Sequence, residues 1–159
     1  MSKPVKYSVA VVLRNDKGEY LAVRRPLDDE DHKGHWGLPA VSLKSGETPD
    51  QAALRTCKEK LYCSGKIKRF LGIMYQKRNK YDMFLMDIEM TLDGDRQPDV
   101  GKSNTTSTKY IEQLWSDDPM LMMPAAKDGS CCSTIFLSDQ GLMEREDWVE
   151  DLEGSPNVG

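Results

Sequence analysis

The chain has 159 residues, of which 38% are hydrophobic and 30% charged, with a formal net charge of −4. That length suits one domain with a real core, and the acidic balance argues against a nucleic-acid binder, which would carry a basic face or a high pI. No apolar run approaches the ~18 residues that cross a membrane and no basic-apolar signal opens the chain, so a cytoplasmic protein off the membrane is expected. Cys57, Cys63, Cys131 and Cys132 form no Cys-x2-Cys pair. Free thiols are therefore expected, rather than disulfides or a zinc site.

Residues 5–13 read as a largely buried strand, 15–18 as a turn, and 19–25 as the returning strand of a hairpin. Arg24 and Arg25 close that strand. Residues 26–35 form an acidic loop, either solvated or a lid whose His32 or His35 reaches a site as acid or base.

Residues 36–63 read as strand, loop and helix. Thr48 is placed as N-cap, Pro49 as the first helical residue, and Gln51 as the return arm of a capping box. Ala53, Cys57 and Leu61 make a narrow apolar stripe, with Arg55, Thr56, Glu59 and Lys60 on the adjoining polar face. Glu47 precedes the cap, where its charge favours the helix start and can meet Arg55 as a bidentate pair.

Gly65 is expected to end this segment. Strands follow over 66–78 and 81–93, with Asp87 and Glu89 on one side of the second and Asp82 on the other. Residues 94–103 read as a polar loop, and 105–115 as a strand carrying Tyr110, Glu112 and Leu114. Asp117-Asp118-Pro119 starts a helix, 124–129 breaks the chain, and 130–137 forms a closing helix whose second half also suits a strand. The chain is thus read as one domain over 1–143 and an acidic tail over 144–159. The tail is expected to fray, with Trp148 and Leu152 available to dock it on the domain or on a second subunit as a homodimer.

The stretch from Trp36 to Cys63 resembles the signature of the Nudix hydrolases. In the register that aligns them, the signature's first Glu falls on Glu47 and its Arg on Arg55, at the required spacing. Trp36-Gly37-Leu38-Pro39 and Gly46-Glu47-Thr48 are also similar to the family. Over residues 41–63 there are clear departures. The first Gly is Val41, the Glu after Arg is Thr56, and the next aliphatic is Cys57. Of the closing Glu pair only Glu59 remains, beside Lys60, and the last Gly is Tyr62.

The resemblance implies an α/β fold, an α/β/α sandwich with a mixed β-sheet between helices. It implies hydrolysis of a nucleoside diphosphate linked to another moiety, with Mg2+ or Mn2+ neutralising the diphosphate. Residue by residue, it places Glu59, Arg55 and Glu47 in catalysis, and Glu59 with the Ala40 carbonyl on the metal. Arg24 or Arg25 would meet a substrate phosphate, as an Arg near this place does in the family; beside the resemblance, Lys60 can set a fixed cation near a phosphate where a metal would otherwise stand, and Trp36 can stack a base. Thr56 and Lys60 shift the local formal charge by +1 and +2 relative to two glutamates. At ~4 Å and an effective dielectric of ~20, each unit interaction is worth about 4 kcal/mol, so a strong metal site on this helix alone is disfavoured. A weaker site would recruit Asp87, Glu89 or Glu112 and the substrate's own phosphates.

Each of these residues also has a plainer reading. Glu47 and Arg55 can brace the loop on the helix, and Glu59 can pair with Arg55. Lys60 and the strand-end arginines can be solvated, and Trp36, Tyr75 and Tyr81 can be core. Three functions follow: a hydrolase with a reduced metal site, a nucleotide-binding module, or a protein-interaction scaffold.

Overall fold

A computed structural model describes residues 3–27, 34–103, 109–144 and 148–150. Its central strand is β1 (Val5–Arg14), buried without a break from Ser8 to Leu13, because both faces of the sheet are covered there. β1 pairs antiparallel with β2 (Tyr20–Arg24) and with the short β4 (Ala40–Ser42). On its other side it runs parallel to β6 (Asp82–Asp93), in register from Val5↔Asp82 to Arg14↔Thr91. β2 also carries β3 (Trp36–Gly37) and β7 (Glu112–Ser116), and β6 pairs antiparallel with the long β5 (Ser64–Lys77). The sheet is mixed, in the order β3-β2-β1-β6-β5-β8, with β8 the short Trp148–Glu150.

Alternation along β1 sorts the core into two layers. Val9, Val11 and Leu13 pack with Ile88 and Met90 under Ala52, Ala53 and Cys57 of α1 (Pro49–Lys60) and under Leu61, which caps its C-terminal end. Ala10 and Val12 pack on the opposite face with Tyr20, Met122 and the Ile135-Phe136-Leu137 run of α3 (Cys131–Asp139). This is the α/β/α sandwich that the signature implied. The Tyr20 and Phe136 rings meet at 4.7 Å between centroids in the second layer.

The start of α1 is as expected. Thr48 Oγ1 accepts the Gln51 N–H at 3.2 Å, and Gln51 Oε1 accepts the Thr48 N–H at 3.0 Å. The closing helix is helical throughout, and Ser130 caps it. Elsewhere the structure corrects the expectations. Gly65 does not end the signature segment but lies inside β5, beneath α1. A Cβ there would sit 2.9 Å from Met90 Cε and 3.1 Å from Cys57 Sγ, so close packing is what needs the glycine. The residue that turns the chain out of α1 is Tyr62, in the left-handed region at φ 54°.

Residues 119–127 do not break. A 3-10 turn over Pro119–Met122, capped by Asp118, runs into α2 (Met123–Lys127), whose Pro124 falls in the first turn where no helical N–H is lost. The strand expected over 105–115 is shorter and later, Glu112–Ser116, and 104–108 lie outside the described residues. His32 and much of the acidic loop lie outside them too. The tail is not wholly frayed: Trp148–Glu150 forms β8, parallel to Tyr75–Lys77 of β5. The cysteines are free and buried. Among the described residues no helix is long and apolar enough to cross a membrane.

Candidate functional site

The loop before α1 and the helix itself are locked by one ion pair. Arg55 Nε meets Glu47 Oε2 at 2.8 Å and Arg55 Nη2 meets Glu47 Oε1 at 2.9 Å, a two-pronged bond in which the planar guanidinium fits the carboxylate. Arg55 Nη2 also donates to the Ser42 carbonyl at 2.8 Å, and the Lys44 N–H donates to Glu47 at 3.0 Å. The hydrogen bond from Arg55 holds the Glu47 carboxyl down at about 2, far below the ordinary 4.5. Glu59 Oε1 lies 3.5 Å from Arg55 Nη1, with its side chain 30% exposed. Both bracing partners expected in the sequence are therefore brought together, with Glu59 beside them.

The rest of the expected polar face of α1 is not solvated. Thr56 is fully buried and returns its hydroxyl to the Ala52 carbonyl at 2.8 Å. Lys60 is only 4% exposed. Its Nζ donates to the Ala40 carbonyl at 2.8 Å and stands 5.1 Å from the centre of the Tyr110 ring. Ala40 is also held at its amide, since its N–H donates to the Tyr110 hydroxyl at 2.9 Å. The burial arises because β4 and Tyr110 close over the end of α1, which periodicity within the helix cannot reveal.

These contacts decide how the chain fits the divalent ion of the resemblance. The carbonyl assigned to that ion already takes a cationic nitrogen, and Thr56 offers an inward hydroxyl where a carboxylate would stand. The other candidates are engaged elsewhere. Glu89 binds Arg14 at 3.0 Å and Arg69 at 3.1 Å, and Glu112 binds Arg24 at 2.7 Å. Asp87 and Glu89 sit in register with Ala10 and Val12, on the face away from α1 and Glu59. Among the described residues no three His, Cys, Asp or Glu side chains converge to hold a metal. The residues present do not fit the family's ion.

Next to the Ala40–Tyr110 clamp lies a cleft of about 410 Å³, counting space open to solvent. Arg25, His35, Trp36, Ala40, Tyr110 and Cys132 line it, with apolar floor from Val23, Leu38 and Leu85. His35 Nε2 lies 3.2 Å from Asp128 Oδ2, which orients the imidazole at the rim. Burial, and then the charge of Asp87, push the Cys132 thiol up, and burial pushes Cys131 up to about 12, so neither is a ready nucleophile. The two strand-end arginines divide. Arg25 lines the cleft, whereas Arg24 braces the fold, donating to the Gly34 carbonyl at 3.0 Å, pairing with Glu112 and covering the Trp36 ring at 5.5 Å. Sequence reading missed Tyr110 as a clamp, and it missed Asp128 as partner of His35. The latter pair is separated by 93 positions and carries no local signal.

The model of the NUDIX domain matches residues 4–114, and the chain belongs to that family, the Nudix hydrolase superfamily. Solved structures agree on the fold. The MutT protein from Methanosarcina mazei Go1 superposes with a TM-score of 0.66 at 19% identity, covering 89% of this chain and 96% of that one. A NUDIX hydrolase from Nitrosomonas europaea gives 0.65 at 17% identity, covering 91% and 99%. An ADP-ribose pyrophosphatase from Streptococcus suis 89-1591 gives 0.53 at 14% identity, covering 92% and 98%. No curated protein matches the chain significantly.

Proposed function

We propose that this Nudix-family chain recognises a nucleoside-diphosphate-type ligand in the cleft beside Ala40, and that the family's metal-dependent hydrolysis is impaired in it. The observation that carries the reading is the convergence of Arg25, His35 and Trp36 on one cleft. A planar guanidinium suits a phosphate, an imidazole held by Asp128 can donate to it, and the indole supplies an apolar wall for a base or sugar. Fold alone does not carry activity. The MutT and ADP-ribose pyrophosphatase likenesses support the ligand class without selecting a member of it.

A second, hydrolytic reading is favoured by one observation, the partly exposed Glu59 carboxylate next to an intact Glu47–Arg55 brace. A thermal-shift series over ADP, ADP-ribose and ATP, run with EDTA and with Mn2+, tests the binding reading. A ligand at ~100 times its dissociation constant adds ~2.7 kcal/mol and raises the melting temperature. Arg25→Ala removes that rise if the reading is right, and an unchanged rise overturns the assignment of the cleft. Chromatography of the same mixtures reads turnover. Product that requires Mn2+ and disappears in Glu59→Gln selects the hydrolytic reading instead.

A further inference from the structure

The misfit between α1 and a divalent ion points to a replacement rather than a simple loss. We propose that Lys60 is a built-in cation: its ammonium takes the position of the metal at the Ala40 carbonyl, shuts metal out, and leaves a cleft that binds a diphosphate anion without one. The inference rests on the cleft reading above and deepens it by naming what balances the anion's charge.

Three observations support it. Lys60 reaches the Ala40 oxygen at 2.8 Å from the last residue of α1, at 4% exposure, so the contact is built into the core rather than a passing surface pose. Its nitrogen lies 5.1 Å from the centre of the Tyr110 ring, and Tyr110 holds the N–H of the same alanine. Ala40 and Tyr110 are themselves cleft wall.

The chemistry follows from charge and oxygen accounting. A backbone carbonyl in a cleft wall presents its negative end, which repels a phosphate and attracts a hard cation. Lys60 occupies that oxygen with a donor. A divalent ion arriving there would lose a ligand and meet a like charge a few ångströms away. For an anion the sign reverses. The ammonium neutralises the carbonyl from behind, and Arg25 and His35 supply donors from the front. A cation fixed by covalent attachment is also present at every metal concentration. The cleft is therefore ready in the absence of free Mg2+.

Two measurements on the full chain test this. Mn2+ binding is read by the loss of the free-ion electron paramagnetic resonance signal, in wild type, Lys60→Glu and Lys60→Met. ADP and inorganic pyrophosphate binding is read by isothermal titration calorimetry in EDTA and in Mg2+. Wild type is expected to leave Mn2+ free and to bind ADP within about twofold equally in the two buffers, while Lys60→Met weakens ADP by about tenfold in EDTA. Lys60→Glu is expected to take up Mn2+ and to bind ADP only when metal is present. Circular dichroism melts identify variants that fail to fold, and Lys60→Arg, which keeps the charge, then stands in and must retain metal-free binding. Stoichiometric Mn2+ uptake by wild type, or ADP binding that needs Mg2+, overturns the role of Lys60 and leaves the cleft reading intact. No binding of ADP or pyrophosphate in either buffer overturns the cleft reading itself, and the anion half of this inference with it.

Discussion

Protonating Glu47 dismantles the brace between the loop and α1, and the direction of its effect on stability is set. Its folded value, about 2, lies below the ordinary 4.5, so the brace contributes fully above pH 4.5 and its contribution is lost as pH falls from there toward 2. Urea midpoints measured down that window should fall in wild type and flatten in Glu47→Gln. A wild-type slope that matches the variant's would refute the role. This pair was legible in the sequence because its members sit eight positions apart in a motif with known spacing. Lys60 was not. Its partners, Ala40 and Tyr110, lie 20 and 50 positions away, and a lysine at a helix end reads as solvated until tertiary contacts close over it. Arg24 and Arg25 show the same limit, since adjacent residues of one type divide between brace and cleft only when the sheet is assembled.

Among elements, α1 was the most legible, because capping box, proline and apolar spacing all point to the same helix. Its far end was misread. Tyr62 holds a left-handed backbone where the family signature has glycine, and its ring lies 4.6 Å from the Arg96 guanidinium and 5.3 Å from Lys102 Nζ. A β-branched residue tolerates that backbone poorly, so Tyr62→Val should cost about 1–3 kcal/mol in urea unfolding, with Tyr62→Gly costing less. If valine proves as stable as glycine there, the turn does not need the left-handed conformation. α3 was left open between helix and strand, since a short apolar run has no decisive period. Its packing resolves the choice: Phe136 is fully buried against Tyr20, and Phe136→Ala should destabilise by about 3–5 kcal/mol.

At the scale of the molecule, the two-layer core follows from the alternation along β1, which was plain in the sequence. The order of strands was not, because pairing β1 with β6 joins segments more than seventy residues apart. Burial of the thiols carries its own expectation. Native protein should resist alkylation by iodoacetamide, whereas denatured protein should react at Cys57, Cys63, Cys131 and Cys132, and prompt labelling of the native state would show that the layers open readily.

The short pairing of Trp148–Glu150 with β5 has a consequence for how copies of the molecule tolerate one another in solution. β5 runs for 14 residues, and among the described residues only Tyr75–Lys77 of its outer edge is covered by another strand. Two register shifts and the exposed Lys66 and Lys68 guard the remainder, the usual defences against edge-to-edge stacking. The tail segment is the last of these guards. Protein cut back to residue 144 should cluster on storage at concentrations where the whole chain stays dispersed, as light scattering would record.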